Sequence, residues 1–422
     1  MFRARMAARA QDRSARLAPD EVERALDVLA RVAADRTLLA ELPADARAAL
    51  QRLAGEVARP DLKARKRLQK ALLRREKADR KSSDAALRRD TGIRRLRSAP
   101  VFPTPLPPAS AGATAPEAAA PPPELHAPRK CYVCKAPYRA LHPFYDQLCP
   151  ACGDDNYARR SATADLRGRV ALVTGARVKI GYQAAILLLR AGCTVIACTR
   201  FPRDAAARYA REPDFEAWRE RLTIHGVDLR HTPSVEHLCH HLDRTLPRLD
   251  FQLHNACQTV RRPPGFYAHL IEREQLAASA VPARERMLLA DHEALRQDLG
   301  RGAPGLTSPA LLSQAASAAD LVLGGQGGVE IFPRGVLDQD LQQVDLRAHN
   351  SWRLALHEVP TLELLEVLLV NATAPFVMTA RLKPLMLRQR AAPPGTATSG
   401  DAAKHVVLVS AMEGQFYRAH KT

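Results

Sequence analysis

Apolar residues recur at helical spacing near the start of the chain and give way to short continuous runs after residue 165. Val22, Leu26, Leu29 and Val32 fall three or four apart, as one face of a helix requires, and Leu38, Leu39 and Leu42 resume the pattern after a break. Pro43 and Pro60 stand at the interruptions and mark helix boundaries. From Leu62 to Arg97 Lys and Arg dominate, which predicts a charged helix following a small helical hairpin or bundle, the whole forming a basic helical region over 1–98. Residues 99–129 are mostly Pro and Ala; proline fixes φ and removes backbone donors, so this stretch predicts an extended linker. Beyond Asp165 strand and helix patterns alternate. The run Arg169–Thr174 predicts a buried strand, Ile186 to Leu189 a helix ending at Gly192, and Thr194–Thr199 a second strand. That alternation implies an α/β fold, a doubly wound parallel sheet covered by helices.

The net charge of +18 over 422 residues is concentrated between Leu62 and Arg97. With no aromatic residues interleaved, this segment reads as a solvated helix, the alternative being an arm that docks on nucleic acid or an anionic membrane. The apolar runs read as too short to cross a bilayer, which predicts no membrane span. The Arg-rich first residues resemble an organelle transit peptide no better than an ordinary basic helix. Of eight cysteines, four fall in a metal-like pattern, which fits an intracellular location, cytoplasmic first and organellar second.

Cys131, Cys134, Cys149 and Cys152 make C-x2-C-x14-C-x2-C, two short knuckles able to present four thiolates to one tetrahedral ion. Four filled positions predict a structural zinc rather than a catalytic one or two redox pairs. The module, over 130–160, resembles a zinc ribbon, a unit that binds nucleic acid, binds protein or staples a short segment. Tyr132, Tyr138, Phe144 and Tyr145 are expected to cover the metal site.

The strand at 169–174 leads into Thr174-Gly175-Ala176-Arg177-Val178-Lys179-Ile180-Gly181 and then a helix. A strand, tight turn and helix N-terminus make a pyrophosphate site, because unpaired amides and the helix dipole point at the anion. After the second strand, Thr199 and Arg200 stand where NAD-binding proteins carry an acid for the ribose hydroxyl, with Arg203 nearby; a guanidinium there favours the 2′-phosphate of NADP over NAD.

On these residues the chain resembles the short-chain dehydrogenase/reductase family. TGARVKIG is similar to the family's TGxxxGxG loop, Asp228 with Leu229 in GVDL to its adenine-side aspartate, and HNAC (His254, Asn255, Ala256, Cys257) to its NNAG segment. Asn371 in VNATAPF and Ser410 at the end of HVVLVS continue the match in the family's order. The resemblance implies a Rossmann-type domain over 165–422 and a cofactor site built from Thr174, Gly175, Arg177, Lys179, Ile180, Gly181, Thr199, Arg200, Asp228, Leu229, Asn255 and Ala256. It also implies catalytic roles: Tyr417 moves the proton, Lys421 lowers its pKa, Ser410 steadies the carbonyl oxygen and Asn371 anchors a relay water.

Several features depart from the family. Lys179 replaces the middle glycine of the loop, and with Arg177 is expected to add charge against the cofactor phosphates; Cys257 replaces the last glycine of NNAG. Ser410 precedes Tyr417 by about half the family's spacing, and Lys421 is penultimate, so the Tyr-Lys pair also reads as a chance match in a loop. The sheet is expected to be incomplete at the C-terminus, as in a truncated product of an active lineage. Helical stretches at Glu272–Leu299 and Ala310–Leu323 and a turn at 324–328 belong to an insertion at about 260–358, which reads equally as a substrate lid or a peripheral decoration. His254 is expected to pack beside the cofactor. The reading is an NADP-dependent oxidoreductase acting on a small carbonyl or alcohol, its alternative a non-catalytic NADP-binding or partner-docking protein.

Overall fold

The computed structural model describes residues 17–98, 121–160, 162–300, 303–313, 331–338, 340–347, 354–388 and 403–410. The chain divides into two compact units, Met1–Ala85 and Ala86–Thr422.

In the first unit, helices α1 (Pro19–Ala34), α2 (Ala44–Ala58) and α3 (Leu62–Arg89, which runs into the second unit) form where the periodicity predicts helix. Pro19 opens α1 and Asp20 and Glu21 occupy its first turn, where the helix dipole favours acids. Among the described residues none of the three helices has a buried residue, and Val22, Leu26 and Leu29 are exposed.

The second unit begins with the end of the basic segment, and here the solvated reading needs correction. Arg88 and Arg94 both pair with the buried carboxylate of Asp146, at 3.3 and 2.7 Å. The short helix α4 (Gly92–Arg97) starts by donating the Gly92 and Ile93 amides to the carbonyls of Pro143 and Phe144. A second correction concerns the linker. Strand β1 spans Glu124–Lys130, inside the stretch expected to be extended, and pairs antiparallel with β2 (Pro137–Ala140). Pro128 has no amide to give the ladder, and the register shifts between Glu124 and Arg129 around it. Helix α5 (Pro150–Arg160) completes this module, whose core of Leu125, Tyr138, Leu141 and Leu148 shares no residue with the clusters flanking the larger sheet.

The larger sheet has five parallel strands, β3 (Val170–Thr174), β4 (Thr194–Thr199), β5 (Leu222–Gly226), β6 (Phe251–His254) and β7 (His405–Leu408), in the order β5-β4-β3-β6-β7. Alternate residues serve opposite faces. Val170, Leu172, Ile196 and Cys198 pack against α8 (Thr232–Thr245) and α12 (Ala374–Leu387), while Ala171, Val173, Val195 and Ala197 pack against α6 (Lys179–Arg190) and α7 (Pro202–Tyr209). Both faces are thus covered, as the apolar strand runs require. Strand β7 is the outer strand on one side, with Val406, Val407 and Leu408 exposed. Asp250, at the start of β6, ties three strands together: it accepts from the Val170 amide, Arg169 and Lys404, and its carbonyl accepts from His405.

The insertion forms α9 (Ala268–Glu274) and α10 (Ala283–Leu299), so the helical stretch expected over 272–299 is divided between two helices, with Pro282 at the start of α10. Of the stretch 310–323 only its first four residues are described, and the turn at 324–328 lies outside the described residues. The expectation of no apolar run long enough for a bilayer is also corrected. Thr361–Leu387, comprising α11 (Thr361–Leu368), a wider turn and α12, qualifies by length and composition. A third of its most apolar stretch is buried, and Met378, Leu382 and Leu385 sit in the core.

Candidate cofactor cleft and metal centre

The reversal of strand order falls between β3 and β6, and a cleft of about 760 Å³ opens there, beyond the carboxyl ends of the strands. Thr174, Gly175, Arg177, Lys179, Ile180, Thr199, Arg200, Asp228, Leu229, Asn255 and Ala256 line it, and Gly181 sits buried behind them in the first turn of α6.

The turn from β3 into α6 owes its shape to two glycines. Gly175 has φ +66°, and a Cβ there would stand 2.9 Å from the Ala256 Cα. At Gly181 a Cβ would overlap the Gly175 carbonyl oxygen and the Asn255 amide. Asn255 Nδ2 donates to the Thr174 and Gly175 carbonyls, both at 3.3 Å, and the Ala256 amide donates to Thr174 Oγ1 at 3.0 Å. The tips of β3 and β6 are laced together by the residues sequence marked as cofactor ligands. Helix α6 has no side-chain cap, so its first amides are left for a ligand.

Lys179 adopts φ +56°, the left-handed backbone for which glycine is suited, and its Nζ lies 3.8 Å from Asp340. Arg177 differs from expectation. Its guanidinium is buried and paired with Asp204 at 2.8 Å, so its charge is largely committed within the wall. Arg203 is likewise buried, bonding the carbonyls of Glu274 and Leu276, and does not line the cleft. Arg200 does. It stacks over Tyr267 at 4.8 Å and donates to the Tyr267 hydroxyl, with no carboxylate within ion-pair distance among the described residues. Thr199 Oγ1 accepts the Phe201 amide. Asp228 is clamped by Arg230, which also reaches Glu366; burial pushes its carboxyl upward, but the Arg230 bonds win and hold it below the usual range.

Of the expected catalytic residues, Asn371 sits where the helix widens between Leu369 and Thr373. Its Oδ1 accepts the Gln258 amide at 2.8 Å and its Nδ2 donates to the Gln258 carbonyl at 2.9 Å, fixing the loop after β6. Ser410 is exposed just past the end of β7 and does not line the cleft; Tyr417 and Lys421 lie outside the described residues. The insertion supplies cleft residues that sequence did not reveal: Phe266, Tyr267, Asp338, Gln342, Gln343 and Asp345. They carry no motif: Phe266 and Tyr267 follow the loop after β6, and the chain's return at 331–347 brings the other four.

His254, at the tip of β6, is buried with Nε2 3.2 Å from Thr379 Oγ1, and burial pushes its pKa down to about 4. Below the ordinary histidine value near 6.5 the unfolded chain gains a proton that the folded chain refuses until about pH 4. Stability therefore falls with falling pH across that window, by up to about 1.4 kcal/mol per pH unit from this residue. His254→Asn should flatten the pH dependence of the urea midpoint between pH 6.5 and 4 by that share. An unchanged slope would show that the ring titrates freely.

In the smaller module the four cysteine sulfurs lie within 4.8 Å of one another, and Cys134 and Cys149 are 3.7 Å apart. A tetrahedron with Zn–S bonds of about 2.3 Å has an edge of about 3.8 Å, so the donor set and its spacing fit zinc. Lys135, at φ +64°, turns the chain after the first pair; inside the second, α5 begins at Pro150 and contains Cys152. The Cys149 amide donates to Cys131 Sγ. Tyr138 and Tyr145 pack into the cysteine core while Tyr132 stays exposed. His142 is not part of the set: its Nδ1 accepts the Phe144 and Tyr145 amides.

The five-stranded sheet, its order and the cleft define a Rossmann-type α/β domain. Residues 169–271 match the model of the short chain dehydrogenase family. Over those residues the α/β domain is similar to short-chain dehydrogenases. An uncharacterized protein, R665, of Acanthamoeba polyphaga mimivirus is 39% identical over 137 residues, 31% of this chain and 29% of that protein. The WW domain-containing oxidoreductase of Drosophila melanogaster is 33% identical over 93 residues, 22% of this chain and 23% of that protein. Salutaridine reductase from Papaver somniferum is similar at 15% identity and a TM-score of 0.25, over 52% of this chain and 53% of that one. The chain thus spans under a third of the length of the two relatives named first.

Proposed function

We propose that the chain is an NADP-dependent oxidoreductase that interconverts a carbonyl and an alcohol on a small molecule. The observation that carries the reading is Arg200, which lines the cleft just past β4 and makes no ion pair among the described residues, though its charge is felt by Asp228. An acid there would bind the ribose hydroxyl of NAD, whereas a guanidinium suits a 2′-phosphate. The cofactor would supply a hydride. The amides at the start of α6 and the Gly175 turn would bind its pyrophosphate, and Asp228 and Leu229 its adenine side. Asn255 holds that turn in shape, and Asn371 holds the Gln258 loop on the opposite wall. Tyr417 and Lys421 are proposed, on the family resemblance, to move the substrate's proton, and Ser410 to steady its oxygen, a role that needs Ser410 nearer the cleft than its exposed position past β7.

Zinc on Cys131, Cys134, Cys149 and Cys152 is proposed as a structural ion, and an intracellular, cytoplasmic setting is proposed with it because cysteines in a metal-like pattern suit a reducing compartment. A second reading, a partner-docking protein, is favoured by α3, a basic helix with no buried residue that could meet nucleic acid or an acidic protein surface. Arg200→Ala should weaken NADPH about 10- to 100-fold, as expected for a lost charge-assisted bond of about 1.5–3 kcal/mol, and leave NADH within about threefold. Equal losses for both nucleotides would remove the phosphate assignment.

A further inference from the structure

Outside the cleft and the cysteine module, three side chains from distant parts of the chain converge at one edge of the sheet. His225 comes from β5, the outer strand opposite β7; His241 from α8, on the face of the sheet that also carries Cys198; and Asp291 from α10, in the insertion, which packs along β5. Their ligand atoms all lie within 4.8 Å of one another. The Nε2 atoms of His225 and His241 each stand 3.0 Å from Asp291 Oδ2.

His225 is fully buried, yet neither of its ring nitrogens makes a hydrogen bond, and its Nε2 approaches Asp291 without hydrogen-bond alignment. An imidazole buried without an aligned hydrogen bond costs on the order of 1–3 kcal/mol. His241 Nε2 makes an aligned bond to Asp291 Oδ2 at 3.0 Å, whereas His225 Nε2, at the same distance from the same oxygen, is left without one. A shared ion explains both facts. Ligand atoms around a tetrahedral ion with bonds of about 2.0–2.1 Å stand about 3.3 Å apart and aim at the ion rather than at each other. One residue along α10, His292 Nδ1 accepts the Gly226 amide at 3.3 Å, holding the middle of that helix next to the strand that carries His225.

We infer that His225, His241 and Asp291 form a second metal site, one that takes zinc or a similar divalent transition ion. Two imidazoles and a carboxylate are the donors such ions accept. None of the three residues lines the cleft. The ion therefore acts as a staple, fastening the insertion helix α10 over the outer edge of β5, where backbone groups otherwise lack a neighbouring strand. Asp291 is 40% exposed, so water reaches the ion and completes its shell. With an exchangeable fourth position the ion leaves to a chelator sooner than one held by four thiolates.

The test is metal content of the full chain at equilibrium with micromolar zinc, with folding followed by circular dichroism. The wild-type chain is expected to hold two zinc ions, one released early by a chromogenic chelator and one late. His241→Ala and Asp291→Asn, both substituting side chains that reach the surface, should each hold one ion and lose only the early phase. One zinc in the wild type, or two that survive both substitutions, would overturn the site.

Discussion

Replacing Gly181 by alanine is expected to lower NADPH affinity at least about a hundredfold, on the order of 2.7 kcal/mol. The added methyl would enter the Gly175 carbonyl oxygen, which is backbone and cannot swing aside, and the Asn255 amide. Asn255 is the residue that bonds the Thr174 and Gly175 carbonyls, so the collision opens the join between the tips of β3 and β6. The amides of α6 would then no longer converge on one anion. Gly168 provides the control. It has φ +74° but open space around its Cβ position, so Gly168→Ala should cost about 1 kcal/mol of stability from backbone strain and leave NADPH binding unchanged. Fluorescence titration of both variants separates the two outcomes. Comparable affinities would mean that the Gly175–Gly181 turn does not hold the nucleotide.

Cys131→Ser is expected to remove the structural zinc and with it the fold of 121–160. Cys131 is buried at the centre of the module's core and its sulfur also accepts the Cys149 amide, so no solvent ligand can stand in for it. Structural zinc contributes about 10–16 kcal/mol in small domains, more than a core as small as Leu125, Tyr138, Leu141 and Leu148 can replace. Because that core is separate from both clusters of the α/β sheet, the variant should still bind NADPH and show the same urea transition by tryptophan fluorescence. Zinc content and the loss of circular dichroism from α5 report the change; retention of the cysteine-bound zinc would contradict the four-thiolate assignment.

What the sequence made legible follows from how local each signal is. The strand at 170–174, the two glycines of its turn and the paired cysteines are each written within a few residues, because a tight turn or a knuckle is built by neighbours. Contacts over long separations were not readable. Arg177 has the charge expected of a phosphate ligand, but Asp204, on the next helix, takes it. Tyr267 and Gln342 reach the cleft only because the insertion folds back over it. Pro128 reads as linker and nevertheless lies in β1, because the register shift absorbs the missing amide. The convergence of His225, His241 and Asp291 has no spacing that a motif could capture, since a strand and two helices from separate parts of the fold supply the ligands.

The central claim is that the cleft between β3 and β6 is an NADP site. It is tested most directly by calorimetric titration of the full 422-residue chain with NADPH, with NADH in parallel. The account expects saturable, one-to-one NADPH binding at least about tenfold tighter than NADH, the discrimination of about 1.4 kcal/mol that one guanidinium–phosphate contact supplies. A folded, zinc-loaded chain that binds neither nucleotide, or binds NADH more tightly, would contradict it.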